Sequence, residues 1–73
     1  MEQKYLEALK IAVNEEEVSC VLLQRKLSIG YELAYGILEQ MEKDGFVSAF
    51  NEETYKRKVL ITKEKYEKLL NGD

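Results

Sequence analysis

Residues 23–47, LQRKLSIGYELAYGILEQMEKDGFV, predict the end of a short helix, a tight turn and a longer helix that ends at a glycine. Ser19 is a suitable N-cap for the short helix, which should extend over residues 20–27. The turn at residues 28–30 then leads into a helix over residues 31–43. Helix-turn-helix proteins use two helices joined in this way to place the second one in the DNA major groove.

Four small residues shape this pair of helices. Gly30 in the turn is expected to accept a positive φ or a close approach of another segment. Ser28 is an alternative cap for the second helix. Gly45 stands where a left-handed C-terminal cap is expected. Gly36 lies in mid-helix, where it costs about 1 kcal/mol relative to alanine, so it either allows close packing or is tolerated.

The second helix has apolar residues at helical spacing along one face. The predicted core positions are Ala34, Ile37, Leu38 and Met41. This orientation leaves Glu32, Leu33 and Gly36 on the outside.

Residues 2–13 precede this pair and predict an amphipathic helix. Its apolar positions are Tyr5, Leu6, Leu9, Ala12 and Val13. Val18 is expected to form a short strand or a single bridge between this helix and the next one.

A β-hairpin is predicted after the helix pair, with strands over residues 46–50 and 56–62 and a polar loop over residues 51–55. The first strand should alternate, with Phe46, Ser48 and Phe50 on one face and Val47 and Ala49 on the other. In the second strand Val59 and Ile61 should alternate with Lys58 and Leu60. Thr62 then caps a last helix, whose apolar face is Tyr66, Leu69 and Leu70.

These elements predict an α+β fold of the winged helix-turn-helix class. Three helices are followed by a β-hairpin, the wing, and by one extra C-terminal helix. The chain should form a single domain over residues 1–73, because a chain of this length has room for one small core.

The composition excludes several classes of function. The chain has no histidine, which removes the commonest general base and metal ligand. No glycine-rich phosphate loop, nucleophilic serine motif or Cys/His cluster is present. We therefore expect no catalysis, no cofactor, no metal site and no small-molecule substrate. The single cysteine, Cys20, is expected to be a small core residue.

No apolar run is long enough to cross a membrane, and the first ten residues do not form a signal peptide. Cytoplasmic residence is therefore expected.

The net charge is −3, with 11 basic and 14 acidic residues. Most small nucleic-acid-binding modules are basic, since neutralising phosphates supplies much of their affinity.

The sequence resembles the gamma domain of FtsK/SpoIIIE-type DNA translocases over roughly residues 11–61. The resemblance is carried by "QRKLSIGY", by "ILEQMEKDGFVS" and by "RKVLI". The matching positions are Gln24, Arg25, Ile29, Gly30, Tyr31, Ala34, Met41, Glu42, Gly45 and Val47. The resemblance implies a small winged helix that reads a short G-rich sequence in double-stranded DNA and contacts a recombinase.

The departures from the family lie on the reading helix. The family has asparagine at the position of Glu32 and arginine at the positions of Leu33 and Gly36. Arginine bidentate to guanine is the commonest specific major-groove contact, and neither a leucine nor a glycine can make it. We therefore expect weak or altered sequence specificity.

Two hypotheses for the functional surface follow. In the first, the chain binds DNA. Its phosphate contacts would be Arg25, Lys26, Lys56, Arg57 and Lys58, and the residues near bases Gln24, Glu32 and Tyr35. In the second, the scaffold serves protein–protein interaction or homodimerisation through Leu33, Tyr35, Tyr66, Leu69 and Leu70.

Overall fold

The computed structural model describes residues 2–72, and within this range it contains four helices and one two-stranded antiparallel sheet. The two end positions of the predicted domain, 1 and 73, lie outside this range. In chain order the elements are α1 (Gln3–Ala12), β1 (Glu17–Val18), α2 (Cys20–Leu27), α3 (Tyr31–Lys43), β2 (Arg57–Lys58) and α4 (Lys63–Leu70). This is the predicted α+β winged-helix fold, with the extra C-terminal helix.

Helix α1 is the amphipathic helix that its apolar spacing predicts. The carboxylate of Glu2 caps it by accepting from the backbone N–H groups of Lys4 and Tyr5, at 2.9 and 3.1 Å. Its buried residues recur at steps of three, one and three: Tyr5, Ala8, Leu9 and Ala12. This buried stripe fixes α1 against the rest of the core.

The turn between α2 and α3 differs from the prediction. Ser19 caps α2 as expected, since its Oγ accepts from the N–H of Leu22 at 3.1 Å. The left-handed residue, however, is Ser28, with φ 54°, and it ends α2 rather than capping α3. Gly30 is extended, with φ −77°, and serves as the N-cap of α3. Gly30 thus has neither the positive φ nor the close approach of another segment that were expected, because the chain reverses two residues earlier and a Cβ at Gly30 would meet no atom within 4 Å.

Helix α3 buries the predicted stripe of Ala34, Ile37, Leu38 and Met41. It ends at Lys43, and Gly45, two residues later, has a φ of +80° and is the predicted left-handed cap. The N–H of Gly45 donates to the carbonyl of Glu42 and that of Phe46 to the carbonyl of Met41, at 3.0 and 2.8 Å. These two bonds form a Schellman motif, which satisfies the last carbonyls of the helix.

The wing, residues 46–61, has fewer backbone pairings between its two arms than the predicted hairpin. Its two arms are joined by isolated bridges, from Val47 to Val59 and from Asn51 to Lys56. The regular sheet is instead formed by β2 and β1, with Val18 opposite Arg57. The predicted short strand at Val18 is thus confirmed, and it ties the returning arm of the wing to the segment before α2.

The predicted alternation holds for the returning arm of the wing but not for the outgoing arm. Phe46 and Val47 are adjacent and both buried, whereas Phe50 is exposed. Phe46 completes the Schellman motif through its N–H and packs on the core, and Val47 faces Val59 across a bridge. A bent chain of this kind does not keep the period of two that a regular strand imposes.

Helix α4 begins at Lys63, with the Oγ1 of Thr62 accepting from the N–H of Lys65 at 3.1 Å. Two of its apolar residues, Tyr66 and Leu69, are half-buried and pack against the core, whereas Leu70 is exposed. The helix is therefore an accessory element laid on the core.

The buried apolar residues form one cluster, to which all three N-terminal helices, β1 and the wing contribute. Its largest fully buried side chains are Leu9, Leu23, Leu38, Met41, Val18 and Val47. Cys20, predicted to be a core residue, is half-buried at the edge of this cluster. Among residues 2–72, no helix has the length and apolar character that a membrane crossing requires.

Candidate nucleic-acid interface

The outer face of α3 carries little that can contact a phosphate. Glu32, Leu33 and Gly36 are exposed, as predicted from the inward direction of the core stripe. A Cβ placed on Gly36 would meet no atom within 4 Å, so the glycine is tolerated and not required for packing. On this face, the first two turns of the helix thus present one carboxylate, one leucine and a glycine without a side chain.

Tyr35 lies towards the wing side of α3. Its ring stacks on that of Tyr31, one helical turn earlier, with a centroid distance of 6.0 Å and an interplanar angle of 21°. Both rings are exposed. Tyr35 is therefore placed where either a nucleic acid or a protein can contact it.

The last turn of α2 carries two exposed cations, Arg25 and Lys26, next to a half-buried Gln24. Among residues 2–72, neither cation forms an ion pair. They thus lie on the helix that precedes α3, free to approach an anion.

The three wing cations do not act as one group. Lys56 and Lys58 are exposed, but the side chain of Arg57 between them is only 3% exposed. Successive residues of a strand point to opposite faces, so Arg57 turns inwards where its neighbours turn outwards. Of the three wing cations predicted to contact phosphate, Lys56 and Lys58 are thus exposed and Arg57 is buried.

Arg57 is held by two carboxylates of α3. Its Nη1 lies 2.6 Å from Oε1 of Glu42 and its Nη2 lies 3.1 Å from Oε2 of Glu39. Nη1 is also 3.4 Å from the carbonyl of Ser48. Arg57 therefore fixes the wing against α3, and in this position its guanidinium is not available to a phosphate.

Sequence reasoning did not anticipate this role for Arg57, although two signals point to it. Arg57 shares the period-two face of the returning arm with Val59 and Ile61, both of which face the core. Glu39 and Glu42 are three residues apart on α3, so their carboxylates lie on neighbouring parts of one helix surface. Together these patterns place a cation opposite two acids.

A groove of about 570 Å³ lies between α3, the start of α2 and the wing. Its lining includes the exposed side chains of Val21, Tyr31, Tyr35, Phe50 and Tyr55. The rings of Phe50 and Tyr55 are 6.0 Å apart and tilted by 54°. This groove is an exposed, mainly apolar concavity next to α3.

The opposite side of α3 is fastened to α1 by Tyr5. The hydroxyl of Tyr5 donates to the carboxylate of Asp44, which also accepts from Nε2 of Gln40 at 3.0 Å. Burial raises the pKa of Tyr5 above its ordinary value, and the hydrogen bond and charge of Asp44 raise it further. The phenol is therefore held in its protonated, donating form.

The residues of the alternative protein-contact hypothesis differ in their exposure. Leu33, Tyr35 and Leu70 are exposed, whereas Tyr66 and Leu69 are half-buried against the core. Dimerisation through the apolar face of α4 would thus have one exposed leucine to use. No group of three or more His, Cys, Asp or Glu side chains in residues 2–72 is arranged to hold a metal ion.

The helix-turn-helix, the β1–β2 sheet and the wing define a winged-helix domain. The chain belongs to the FtsK gamma domain family, described as "Ftsk gamma domain", whose model matches residues 1–62. No solved structure matches the chain significantly.

The similar proteins are bacterial DNA translocases. The DNA translocase FtsK of Clostridium tetani is 47% identical over 58 residues, which are 80% of this chain. The DNA translocase FtsK of Rickettsia typhi is 46% identical over 57 residues, or 78% of the chain. The DNA translocase SpoIIIE of Bacillus subtilis is 37% identical over 68 residues, or 93% of the chain. The chain spans about 8% of the length of each of these relatives.

Proposed function

We propose that this chain is a duplex-DNA-binding module that acts in the cytoplasm, with weak or altered sequence specificity and no catalytic activity of its own. The proposal is supported by the family to which the chain belongs and by four exposed cations beside α3, Arg25, Lys26, Lys56 and Lys58, none of which forms an ion pair within residues 2–72. They lie on α2 and on the wing, the two elements that flank a reading helix in this fold.

The proposed mode of binding places α3 in the major groove and the four cations on the phosphate backbone. Phosphate contacts fix the position of a protein on DNA, whereas contacts to base edges provide specificity. In this chain the candidates for base contact are Gln24, Glu32 and Tyr35, none of which is basic. We therefore expect affinity to come from the backbone, with little preference for the G-rich sequence that the resemblance implies.

The test is fluorescence anisotropy with a labelled random duplex of about 20 base pairs in a salt series that starts near 50 mM. Each phosphate contact contributes about −0.9 to the slope of log K against log salt, so four cations predict a slope between about −2 and −4. Replacing Lys56 and Lys58 together by alanine should make the slope shallower by about 2.

The matched control replaces Lys10, an exposed lysine near the end of α1, by alanine. It changes the net charge but should leave the slope within error of the parent chain. No binding at tens of micromolar protein and low salt would contradict the proposal. An equal effect of Lys10→Ala would show that binding follows net charge alone and not the wing.

A second candidate is a protein-interaction module on the same scaffold. The observation that favours it is the exposure of Leu33 and Tyr35, on either side of α3. An exposed apolar and aromatic surface with a polar surround is typical of protein contact sites.

A further inference from the structure

The groove between α3 and the wing has aromatic rings on both sides. Tyr31 and Tyr35 form a stacked pair on α3, and Phe50 and Tyr55 form a tilted pair on the wing. The four aromatic residues are between 44% and 70% exposed, and Val21 of α2 is 57% exposed. Accessible aromatic side chains in a concave surface are typical of the centre of a protein contact site.

The accessible charge in this groove is negative. Arg57 and its partners Glu39 and Glu42 all line it, which gives one positive and two negative charges. The guanidinium is 3% exposed, whereas the two carboxylate side chains remain 43% and 42% exposed. A ligand that enters the groove therefore meets carboxylate oxygens and not the cation that neutralises one of them.

We infer that this groove binds an extended segment of a partner protein in which apolar and basic side chains alternate. The basic groups would pair with Glu39 and Glu42 and lie on the faces of the tyrosine rings, since ring faces attract cations. The apolar groups would fill the space between the aromatic pairs, and a volume of about 570 Å³ accommodates a few side chains. A polyanion is disfavoured in the groove by the exposed carboxylates.

This inference does not depend on the proposed DNA binding. The cations assigned to phosphate contact, Arg25, Lys26, Lys56 and Lys58, take no part in it. Tyr35, a candidate for base contact, is the one residue that the two proposals share, so the variants that separate them are made at Tyr31 and Phe50 and at the four cations.

The probes are fluorescein-labelled peptides of alternating lysine and leucine, with two matched peptides in which glutamate replaces lysine or serine replaces leucine. Binding is measured by anisotropy and mapped by amide chemical shifts. The lysine–leucine peptide should bind, and both matched peptides should bind at least tenfold more weakly. Perturbed amides should cluster around Tyr31, Tyr35 and Phe50. A labelled single-stranded oligonucleotide serves as the probe for the other class of ligand.

The variants Tyr31→Ser and Phe50→Ser should each weaken binding of the lysine–leucine peptide at least fivefold, because each removes an exposed wall of the groove. The matched controls are Leu60→Ser and Leu70→Ser, two exposed leucines that do not line it. They should leave affinity unchanged within twofold. All four changes are at exposed positions, and circular dichroism checks that the variants are folded.

Several results would overturn the inference. The first is no binding of the lysine–leucine peptide at millimolar concentration. The second is binding of the glutamate peptide with the same affinity as the lysine–leucine peptide. The third is a loss of peptide affinity in the Leu60 and Leu70 variants as large as that in the Tyr31 and Phe50 variants. Binding of the oligonucleotide at the mapped groove residues, with no peptide binding there, would assign the groove to nucleic acid and overturn it too.

Discussion

Nη1 of Arg57 lies 2.6 Å from Oε1 of Glu42, and this contact joins β2 of the wing to the last turns of α3. The cation is buried and the carboxylate is not. A buried charge depends on its partners, whereas a half-exposed carboxylate can return to water when its partner is removed. The two halves of this contact should therefore respond differently to mutation.

The first prediction concerns that asymmetry. Arg57→Met removes the buried cation and should lower the free energy of unfolding by about 1 to 2 kcal/mol, because Glu39 and Glu42 can rehydrate. Replacing both glutamates by alanine leaves the guanidinium buried without a carboxylate and should cost about 3 kcal/mol or more. Urea unfolding followed by circular dichroism measures both.

Combining the three changes should restore the stability of the double-alanine variant to that of Arg57→Met alone, because no buried charge remains. The control is Glu64→Ala, which removes an exposed ion pair with Lys68 and should cost less than about 0.5 kcal/mol. If the double-alanine variant is as stable as Arg57→Met, Arg57 is not held by these carboxylates.

The second prediction compares two glycines. Gly36→Ala should stabilise the fold by about 0.5 to 1 kcal/mol, since the new Cβ meets open space and alanine is a better helix former. Gly45→Ala should destabilise it by about 1 kcal/mol or more, because Gly45 has a φ of +80°. Thermal unfolding gives both values. A stabilising Gly45→Ala would contradict the Schellman cap at the end of α3.

The third prediction concerns the hydrogen bond from Tyr5 to Asp44. Tyr5→Phe should lower the free energy of unfolding by about 1 kcal/mol at neutral pH, because it removes this bond while Gln40 still donates to Asp44. The measurement is urea unfolding between neutral and alkaline pH.

The same bond predicts a pH dependence. The pKa of Tyr5 is raised above the ordinary 10.0 in the folded chain, so the unfolded chain ionises first as the pH rises. The folded state then binds more protons, and stability should fall above about pH 10. The stability of Tyr5→Phe should fall less steeply over this range than that of the parent chain. Parallel curves for Tyr5→Phe and the parent would contradict the prediction.

The fourth prediction concerns Cys20. Its half-buried position raises the pKa of the thiol by desolvation, which the charge of Arg57 partly opposes. The reactive thiolate should thus be scarcer than in a free thiol, and alkylation by iodoacetamide near pH 8 should be several-fold slower than for glutathione. The rate should rise to that of a free thiol in denaturing urea. Equal rates with and without urea would contradict this placement.

Local patterns in the sequence were enough to predict the helices and most of their ends. Ser19, Thr62 and Gly45 each act as the predicted caps, because capping depends on side-chain chemistry within a few residues. The inward stripe of α3 was predictable for the same reason, since helical spacing alone specifies which face is buried.

The sequence was less informative where distant segments meet. Arg57 is buried by contacts with residues 15 and 18 positions away, which no local pattern reports. The pairing of β2 with β1 likewise joins segments about 40 residues apart. The sequence predicted instead that the returning arm would pair with residues 46–50, which are closer in the chain. The proposed DNA contacts at Arg25, Lys26, Lys56 and Lys58 remain predictions.

The space outside Gly36 has a consequence for how this domain can change. Gly36 is exposed in the middle of α3, and a Cβ introduced there would meet no atom within 4 Å. The positions of α3 that form the core are therefore separate from the exposed positions that are available for recognition. A single substitution at this position can introduce a charged, aromatic or amide side chain for contact with a partner, without a change in the packing of the core.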